Sequence, residues 1–449
     1  MTLATRPDLP QSSDRESFAM RLILFDLPTP QRVNFHPIAL SRPLWELRCG
    51  MDTLGAKLVA KVGAADVACF VPPYMAAAYR AQTLWPVNDR ASLSGDDLFL
   101  VNGRVKAASL NVAPVGPSQI ILDVHAHPLV VRIAQADLAK LDTSSIDRLL
   151  ETAKGKLRVV QGDVPAWSYV WDLILANPKQ LTEDFAAAGR WGIHGMVEQP
   201  NAIRGSQKDV YVGPGAVVHP MVVLDAEHGP VYIDEGAEIH PFTRIEGPCY
   251  IGKKSILFGA KCREGNSIGP VCRVGGEVEE SIIHGHSNKY HDGFLGHAYV
   301  GEWVNLGALT TNSDLKNDYS SVSVILDGVT PIDTGSTKVG SLIGDHTKTS
   351  IGTLLNTGAY VGAMALIATN GKLLPKFLPS FAWFLEGVVT KGFGKRKLYE
   401  TAKTAMGRRG QQWTSALEQM WDEIFQITAP ARQEAVKKGR RVLAAQSGG

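Results

Sequence analysis

From Tyr211 onward, aliphatic side chains recur every six positions: Val212, Val218 and Leu224; Ile233, Ile239, Ile245, Ile251 and Leu257; Ile268 and Val274; Phe294, Val300 and Leu306; then Ile343, Leu355, Val361 and Ile367. Glycine often follows directly, as in Val212-Gly213, Ile251-Gly252, Val300-Gly301 and Val361-Gly362, and a small residue stands four positions on at Ala216, Ala237, Thr243, Ser255, Ala298 and Ala365. A period of six suits neither an isolated helix nor a simple alternating strand. It predicts a hexapeptide β-helix, in which each hexad makes one flat side and a turn and three hexads close one triangular coil. The aliphatic residue points into the prism, and the small residue sits near a corner where bulk would clash. Between Thr310 and Lys338 the repeat is broken by Asn312, Ser313, Asp314, Asn317, Asp318, Asp327 and Gly328, so this stretch is expected to leave the prism as a loop. The stack needs its ends covered. Trp413, Leu417, Met420 and Ile424 form an apolar stripe at helical spacing and are expected to pack onto the last coil.

The first half reads differently. Leu22, Ile23, Leu24 and Phe25 form a short apolar run followed by Asp26 and two prolines, a buried first strand ending in a loop. Helical and strand-like pieces then alternate over Met51 to Val62, Val67 to Val71, Met75 to Ala81 and Leu98 to Val101. Ile146, Leu149, Leu150 and Ala153 share one helical face further on. Such alternation predicts an α/β layer with a parallel or mixed sheet. The expected organisation is a disordered polar extension over 1–19, an α/β domain over 20–205, the β-helix over 206–370 and a helical cap over 371–449.

Composition narrows the function classes. A chain of 449 residues is long enough for two to four domains. The formal net charge of +2 supplies no global basic field for nucleic acid or an anionic membrane, so an anionic ligand must be met locally. The longest nearly unbroken apolar stretch, Ala359 to Ala368, is too short to span a bilayer. Cys49, Cys69, Cys249, Cys262 and Cys272 include no CxxC pair, which argues against disulfides or a thiolate zinc site and fits a reduced cytosol.

The densest cluster of candidate chemistry is His284, His286, His291 and His297, with Glu277, Glu279 and Glu280 just upstream. Neutral imidazoles on adjacent coil faces suit Zn²⁺. A single histidine titrating near neutrality equally suits a general base for acyl transfer to an amine, with Glu277 orienting the ring. Exposed histidines in a turn are the third reading.

The stretch His291-Asp292-Gly293-Phe294-Leu295-Gly296, then Gly301-Glu302-Trp303-Val304-Asn305-Leu306-Gly307-Ala308 and Thr311-Asn312-Ser313-Asp314, resembles the acetyltransferase half of the bifunctional N-acetylglucosamine-1-phosphate uridyltransferase/glucosamine-1-phosphate N-acetyltransferase family. Gly276-Glu277-Val278, Ser287-Asn288-Lys289, Gly344-Asp345-His346-Thr347-Lys348, Phe377-Leu378-Pro379-Ser380-Phe381-Ala382-Trp383 and Arg42-Pro43 with Leu47-Arg48 and Gly50 resemble its divergent bacterial branch of sugar nucleotidyltransferases. The resemblance implies a nucleotidyltransferase-like α/β domain, a left-handed β-helix, acetyl-CoA as co-substrate, a sugar phosphate or nucleotide sugar as acceptor, and a cytoplasmic homotrimer. It places His291 on the catalytic base, Arg263 and Lys338 on the sugar phosphate, and Asn305 and Asn312 on the substrate loop. Ser350, with the backbone at Ala368 and Thr369, falls near the acetyl-CoA groove between subunits. Two positions depart: Glu279 stands where that family has a phosphate-binding lysine, and Phe294 replaces a tyrosine. The spacing of His286 and His291 is also similar to that of trimeric hexapeptide-helix carbonic anhydrases, which keeps a zinc hydratase at His284, His286 and His291 open.

The N-terminal half lacks the glycine-rich loop that nucleotidyl transfer needs: Phe25-Asp26-Leu27-Pro28 follows the first strand, and Asn102-Gly103-Arg104 stands where Asn-Gly-Asp is usual in the family. Arg42 and Arg48 are the candidate phosphate ligands, and Asp26 and Asp172 the candidate Mg²⁺ ligands. The expectation is a nucleotidyltransferase-like fold with reduced, altered or lost activity, its rival a working nucleotidyltransferase whose β-helix serves to assemble a trimer. A non-catalytic scaffold remains as a further class. The basic run Lys391, Lys395, Arg396, Lys397, Lys403, Arg408 and Arg409 is a candidate for the phosphates of coenzyme A, or a solvated helix face.

Overall fold

A computed structural model of the chain describes residues 20–162, 164–369, 371–385 and 387–447; the extension expected over 1–19 lies outside them. The first strand, Met20–Phe25, pairs in parallel with Asp66–Phe70 on one side and Asp97–Asn102 on the other. Pro128–Ile133 continues the sheet antiparallel to Asp97–Asn102, followed by Gln119–Leu122 and Arg158–Val159. Leu22 and Leu24 face one apolar layer with Val67, Cys69, Phe99 and Val101, whereas Ile23 and Phe25 face a second with Ala68, Phe70, Leu98 and Leu100. Both faces are covered, which explains why the strand is apolar without alternation. The helix Leu54–Val62 begins where the Thr53 hydroxyl accepts a hydrogen bond from the Ala56 amide and ends at Gly63 in the left-handed region. Helix Ile146–Lys156 buries the four residues that its sequence pattern selects.

The hexad repeats build a three-sided parallel β-helix. One face is a sheet of 10 strands running from Gly192–Ile193 to Phe377–Leu378. Val212, Val218, Leu224, Ile233, Ile239, Ile245, Ile251, Leu257, Ile268 and Val274 all lie in one continuous buried core. So do Val300, Leu306, Ile343, Leu355, Val361 and Ile367. The frame differs from the expected one at Phe294, which is only half-buried; Leu295 is the inward residue there. The interior positions Ile283, Lys289 and Leu295 are six apart and Val300 follows after five, so the one-residue slip falls between Leu295 and Val300. The first coil forms over 192–205, ahead of the boundary expected at 205/206, and its strands Met196–Val197 and Ala202–Gly205 already pair with the second coil. Coil strands also continue past 370, through Phe377–Leu378 and Trp383–Leu385. The interrupting segment leaves the prism as an antiparallel hairpin, Ser323–Ile325 with Pro331–Asp333, whose Val322, Val324 and Leu326 pack on Leu342 and Tyr360.

The C-terminal helices divide their work in a way the apolar stripe did not indicate. Helix Ser415–Ile427 carries Met420, Trp421 and Ile424 into a core shared with Met75, Ala78 and Tyr79 of the α/β domain and with Met364, Phe381 and Trp383 of the solenoid. Leu417 packs against that same core, and Trp413, which precedes the helix, joins it too. Phe381 and Trp383 lie in the last coil, so the stripe packs there as expected and onto the α/β domain as well, and Ala435 and Val436 of helix Ala429–Ser447 also meet the solenoid core. No helix among the described residues is long and apolar enough to cross a membrane.

A bolt of polar groups fastens the two domains. Arg42 donates to Asp345 at 2.5 and 3.1 Å and to Glu302 at 3.3 Å, with the Arg42 and Asp345 side chains only 6% and 5% exposed. Ser41 donates to the same carboxylate. The Tyr299 hydroxyl takes the Arg48 amide at 2.7 Å and faces the Arg48 carbonyl at 3.1 Å. His284 Nε2 meets the Glu46 carbonyl at 2.8 Å, and the Ser267 hydroxyl donates to Gly50 O at 2.7 Å. Helix Val170–Ala188, which the sequence pattern did not disclose, adds Asn177, whose amide nitrogen donates to Gly265 O and whose oxygen accepts from the Gly50 amide. Removing one member of a buried pair strands the other charge. The single variants Asp345→Ala and Arg42→Ala are each expected to lose about 3 to 5 kcal/mol in urea unfolding, and the double variant distinctly less than the sum.

Candidate functional site

His291 sits in the turn between the strands Asn288–Lys289 and Phe294–Gly296. The turn is fixed from inside the prism. Lys289 occupies an interior position, six residues after Ile283 and six before Leu295, where every neighbouring coil places an aliphatic or other apolar residue. Its side chain is 3% exposed, and Nζ donates to Gly275 O at 2.8 Å and to the carbonyl of His291 itself at 2.7 Å. Burial pushes this ammonium down to about 8. From the next coil, Asp292 O accepts the Leu309 amide at 2.8 Å. Gly293, at φ +128°, runs so near that coil that a Cβ there would lie 2.2 Å from Thr310 O.

The His291 side chain is exposed and opens onto a cleft of about 890 Å³ between one solenoid face and the C-terminal helix Gly394–Gly407. Asn305, Tyr290 and Lys348 line the solenoid side, and Lys397, Arg408 and Arg409 the other. Arg409 donates to Asn288 at 2.9 Å, and Asn288 donates to Asn305 at 3.2 Å, so the floor of the cleft is ordered by a short relay. Lys348 is held by the Trp303 carbonyl, and burial pushes it down to about 8. The expected residues His291 and Asn305 and part of the basic run are therefore brought together. The Ser350 hydroxyl, beside Ile351 of the cleft, accepts from the Thr369 amide at 3.1 Å, with Ala368 on the strand leading to it.

Other expected residues are placed elsewhere. No hydrogen bond or ion pair joins Glu277 to His291 among the described residues; Glu277 lies beside Phe294 and Lys261 on an adjoining face. Asn312 is buried, its oxygen accepting from the Gly296 amide and its nitrogen donating to the Gly296 carbonyl, so its amide is spent tying two coils together. Arg263 and Lys338 do meet, at Glu279: Arg263 at 2.9 Å and Lys338 at 3.1 Å hold its two oxygens. The carboxylate that reverses the expected charge is matched by the two cations expected to hold a phosphate. Next to it His297, 3% exposed, faces Asp314 at 2.8 Å and Glu280 at 3.4 Å. Burial disfavours its charge, but the hydrogen bonds to Asp314 and Glu280 outweigh that and push it up to about 9. The sequence cluster His284, His286 and His291 does not converge into a metal site among the described residues. His284 is committed to Glu46 and Glu302, and His286 stacks on Trp303 at 4.3 Å.

In the α/β domain the candidate metal and phosphate ligands are committed to structure. Both Asp26 oxygens face Arg32, at 3.0 and 3.1 Å, and one also accepts the Leu44 amide at 3.0 Å. Asp172 caps its helix by accepting from the Ser168 and Tyr169 amides. These two carboxylates do not fit Mg²⁺. Arg42 is the interdomain bolt, and the Arg48 side chain donates to Met51 O. Arg104, the cation standing where the family has an acid, is matched by Asp123 at 2.9 Å.

Residues 22–190 match the family model of sugar nucleotidyl transferases. The bifunctional sugar-1-phosphate nucleotidylyltransferase/acetyltransferase of Sulfurisphaera tokodaii is 37% identical over 91 residues, 20% of this chain and 22% of that protein. The bifunctional protein GlmU of Heliobacterium modesticaldum is 26% identical over 172 residues, 38% of this chain and 33% of that protein. These matches bear out the resemblance drawn from the motifs, at modest identity, and the chain spans about a fifth to a third of the length of these relatives. Among solved structures, a UDP-N-acetylglucosamine acyltransferase aligns at 15% identity with a TM-score of 0.26, covering 55% of this chain and 94% of its own. The Arabidopsis UDP-N-acetylglucosamine acyltransferase aligns at 12% identity with a TM-score of 0.26, covering 55% of this chain and 96% of its own. Superpositions this loose add nothing to the strand pairing described above.

The His297 cluster sets a pH dependence. A folded-state value of about 9, above the ordinary histidine range, means that the stabilisation is fully present below about pH 6.5 and is lost as pH rises toward 9. Urea midpoints measured from pH 6.5 to 9 are expected to fall for the wild type and to be markedly flatter for His297→Gln.

Proposed function

We propose that the chain transfers an acetyl group from acetyl-CoA to the amino group of an amino-sugar phosphate or nucleotide amino sugar, with His291 as general base, working as a homotrimer. The observation that carries this reading is the cleft in which an exposed imidazole on a rigid turn faces the cations of the C-terminal segment. Lys397, Arg408 and Arg409 would meet the phosphates of coenzyme A by charge. Ser350 and the backbone of Ala368 and Thr369 would line the far end of the same groove, against a neighbouring subunit. His291 Nδ1 or Nε2 takes the proton that the amine loses as its nitrogen bonds to the thioester carbonyl carbon. The C–S bond then breaks, and the proton passes to the departing thiolate. Lys289 acts on this step only by holding the turn.

The acceptor follows from Glu279. A phosphate placed against Arg263 and Lys338 must compete with a buried carboxylate already between them. That favours an acceptor whose phosphates are met elsewhere, as in a nucleotide amino sugar, over glucosamine 1-phosphate. The match of residues 22–190 to sugar nucleotidyl transferases supports a second reading, nucleotidyl transfer in the α/β domain. The commitment of Asp26, Asp172, Arg42 and Arg104 weighs against it.

Thiol release from acetyl-CoA, screened over amino-sugar phosphates and nucleotide amino sugars, tests the first reading. His291→Ala is expected to lower kcat/KM by about 100-fold or more while the sedimentation of the assembly is unchanged; full activity in that variant removes the assigned role. Lys397→Ala with Arg408→Ala is expected to raise KM for acetyl-CoA several-fold with kcat nearly kept. Pyrophosphate release from UTP, a sugar 1-phosphate and Mg²⁺ is expected to be absent, and a robust Mg²⁺-dependent rate establishes the second reading instead.

A further inference from the structure

On the outer surface of the first three coils, in the column of outward side chains that continues through Phe258 to Tyr290 of the His291 cleft, Glu198, His219 and His240 occupy equivalent positions in successive coils. Their amides donate in turn to Val218 O, Ile239 O and Leu257 O. Parallel stacking sets equivalent side chains about 4.8 Å apart, and the two imidazole rings lie 5.0 Å apart. Glu238, two residues before His240 and therefore on the same outward face, turns Oε1 toward both rings, 3.1 Å from His219 Nε2 and 3.2 Å from His240 Nε2. These three atoms converge within 4.8 Å of one another. Behind them, Glu198 Oε2 accepts from His219 Nδ1 at 3.0 Å, which fixes the ring so that Nε2 faces the convergence point. Among the described residues no lysine or arginine pairs with Glu198 or Glu238.

We propose that His219, His240 and Glu238 form a binding site for one Zn²⁺, with Glu198 as the supporting carboxylate behind His219. Two imidazole nitrogens and one carboxylate oxygen are a common zinc donor set, with a fourth position left for water. At ordinary Zn–N and Zn–O lengths near 2.05 Å, tetrahedral ligands stand about 3.4 Å apart. The separations of 3.1 and 3.2 Å already present need only small side-chain shifts. A carboxylate hydrogen-bonded to the outer nitrogen of a ligating histidine is the usual second support of such a centre. The two carboxylates also leave the cluster with two uncompensated negative charges when the rings are neutral, which favours a divalent cation. The other group able to ligate, Glu279, Glu280 and His297, is different. There Arg263 and Lys338 already neutralise Glu279. Bound zinc would clamp the second and third coils together near the N-terminal end of the prism.

The test is metal content and affinity of the full chain, read with Zn²⁺ alone against a competing chelator. The wild type is expected to retain one more equivalent of Zn²⁺ than His219→Ala/His240→Ala, and Glu198→Gln to keep that equivalent with affinity weakened about 10- to 100-fold. Co²⁺ substitution of the wild-type chain, which does not depend on the folding of any variant, is expected to give the intense visible bands of a four-coordinate site. Equal zinc content in the wild type and the double variant, or Co²⁺ spectra of the octahedral type only, overturns the assignment.

Discussion

Parallel stacking of short coil sides is the constraint on which the rest of this molecule depends. Each side contributes one interior side chain and hands its backbone amides to the coil before or after it, as from Gly213 to Ile233 O and from Gly252 to Ile268 O. A one-residue error would turn aliphatic residues outward and break the ladder, so the register is strongly specified. The same stacking puts outward side chains from residues 15 to 43 apart in sequence into fixed columns. Arg263 and Glu279 meet for that reason, as do Glu198, His219 and His240, while Lys338 reaches Glu279 from the end of the inserted segment.

Rigidity of this kind explains how a turn can present an imidazole. The His291 turn is pinned from within by Lys289, a cation at the register position where the preceding coil has Val274. A buried ammonium is tolerated only when its donors are satisfied, and here two of its acceptors are carbonyls of the turn and of the coil before it. Surrounding coils hold the outer edge of the turn through Leu309 and Thr311. Helix Gly394–Gly407 then converts a solenoid face into a walled cleft by laying a row of cations across from the imidazole.

In the α/β domain the charged side chains singled out as candidate ligands are paired within the protein. Asp26 remains at the end of the first strand, but Arg32 and the Leu44 amide consume it. Arg42 has been drawn into Asp345 of the solenoid, and Arg104 into Asp123. These charges join the sheet, the connecting loops and the prism. The motifs Arg42-Pro43 and Gly344-Asp345-His346 meet in one interdomain contact through Arg42 and Asp345, and Gly50 makes a second with Ser267.

The hexad period was enough to establish a three-sided prism, because burying one aliphatic residue per side is a local requirement written at regular intervals. The buried strand of Leu22 to Phe25 and the helix at Ile146 were legible on similar grounds, whereas the His291 segment stood out by its resemblance to a family motif. Helix Val170–Ala188 was not, since its buried residues are split between two domains and Pro178 interrupts its pattern. Lys289 left a signal, a cation one hexad from Ile283 and from Leu295, but that frame emerges only once the slip between Leu295 and Val300 is known. Pairings such as Glu279 with Arg263 and Lys338, Arg42 with Asp345, and Glu238 with two histidines depend on which coils and domains become neighbours. Periodicity sets what each residue faces, inward or outward; only the folded chain decides which distant charge stands opposite, because electrostatic partners are chosen by proximity in space and not by spacing along the backbone.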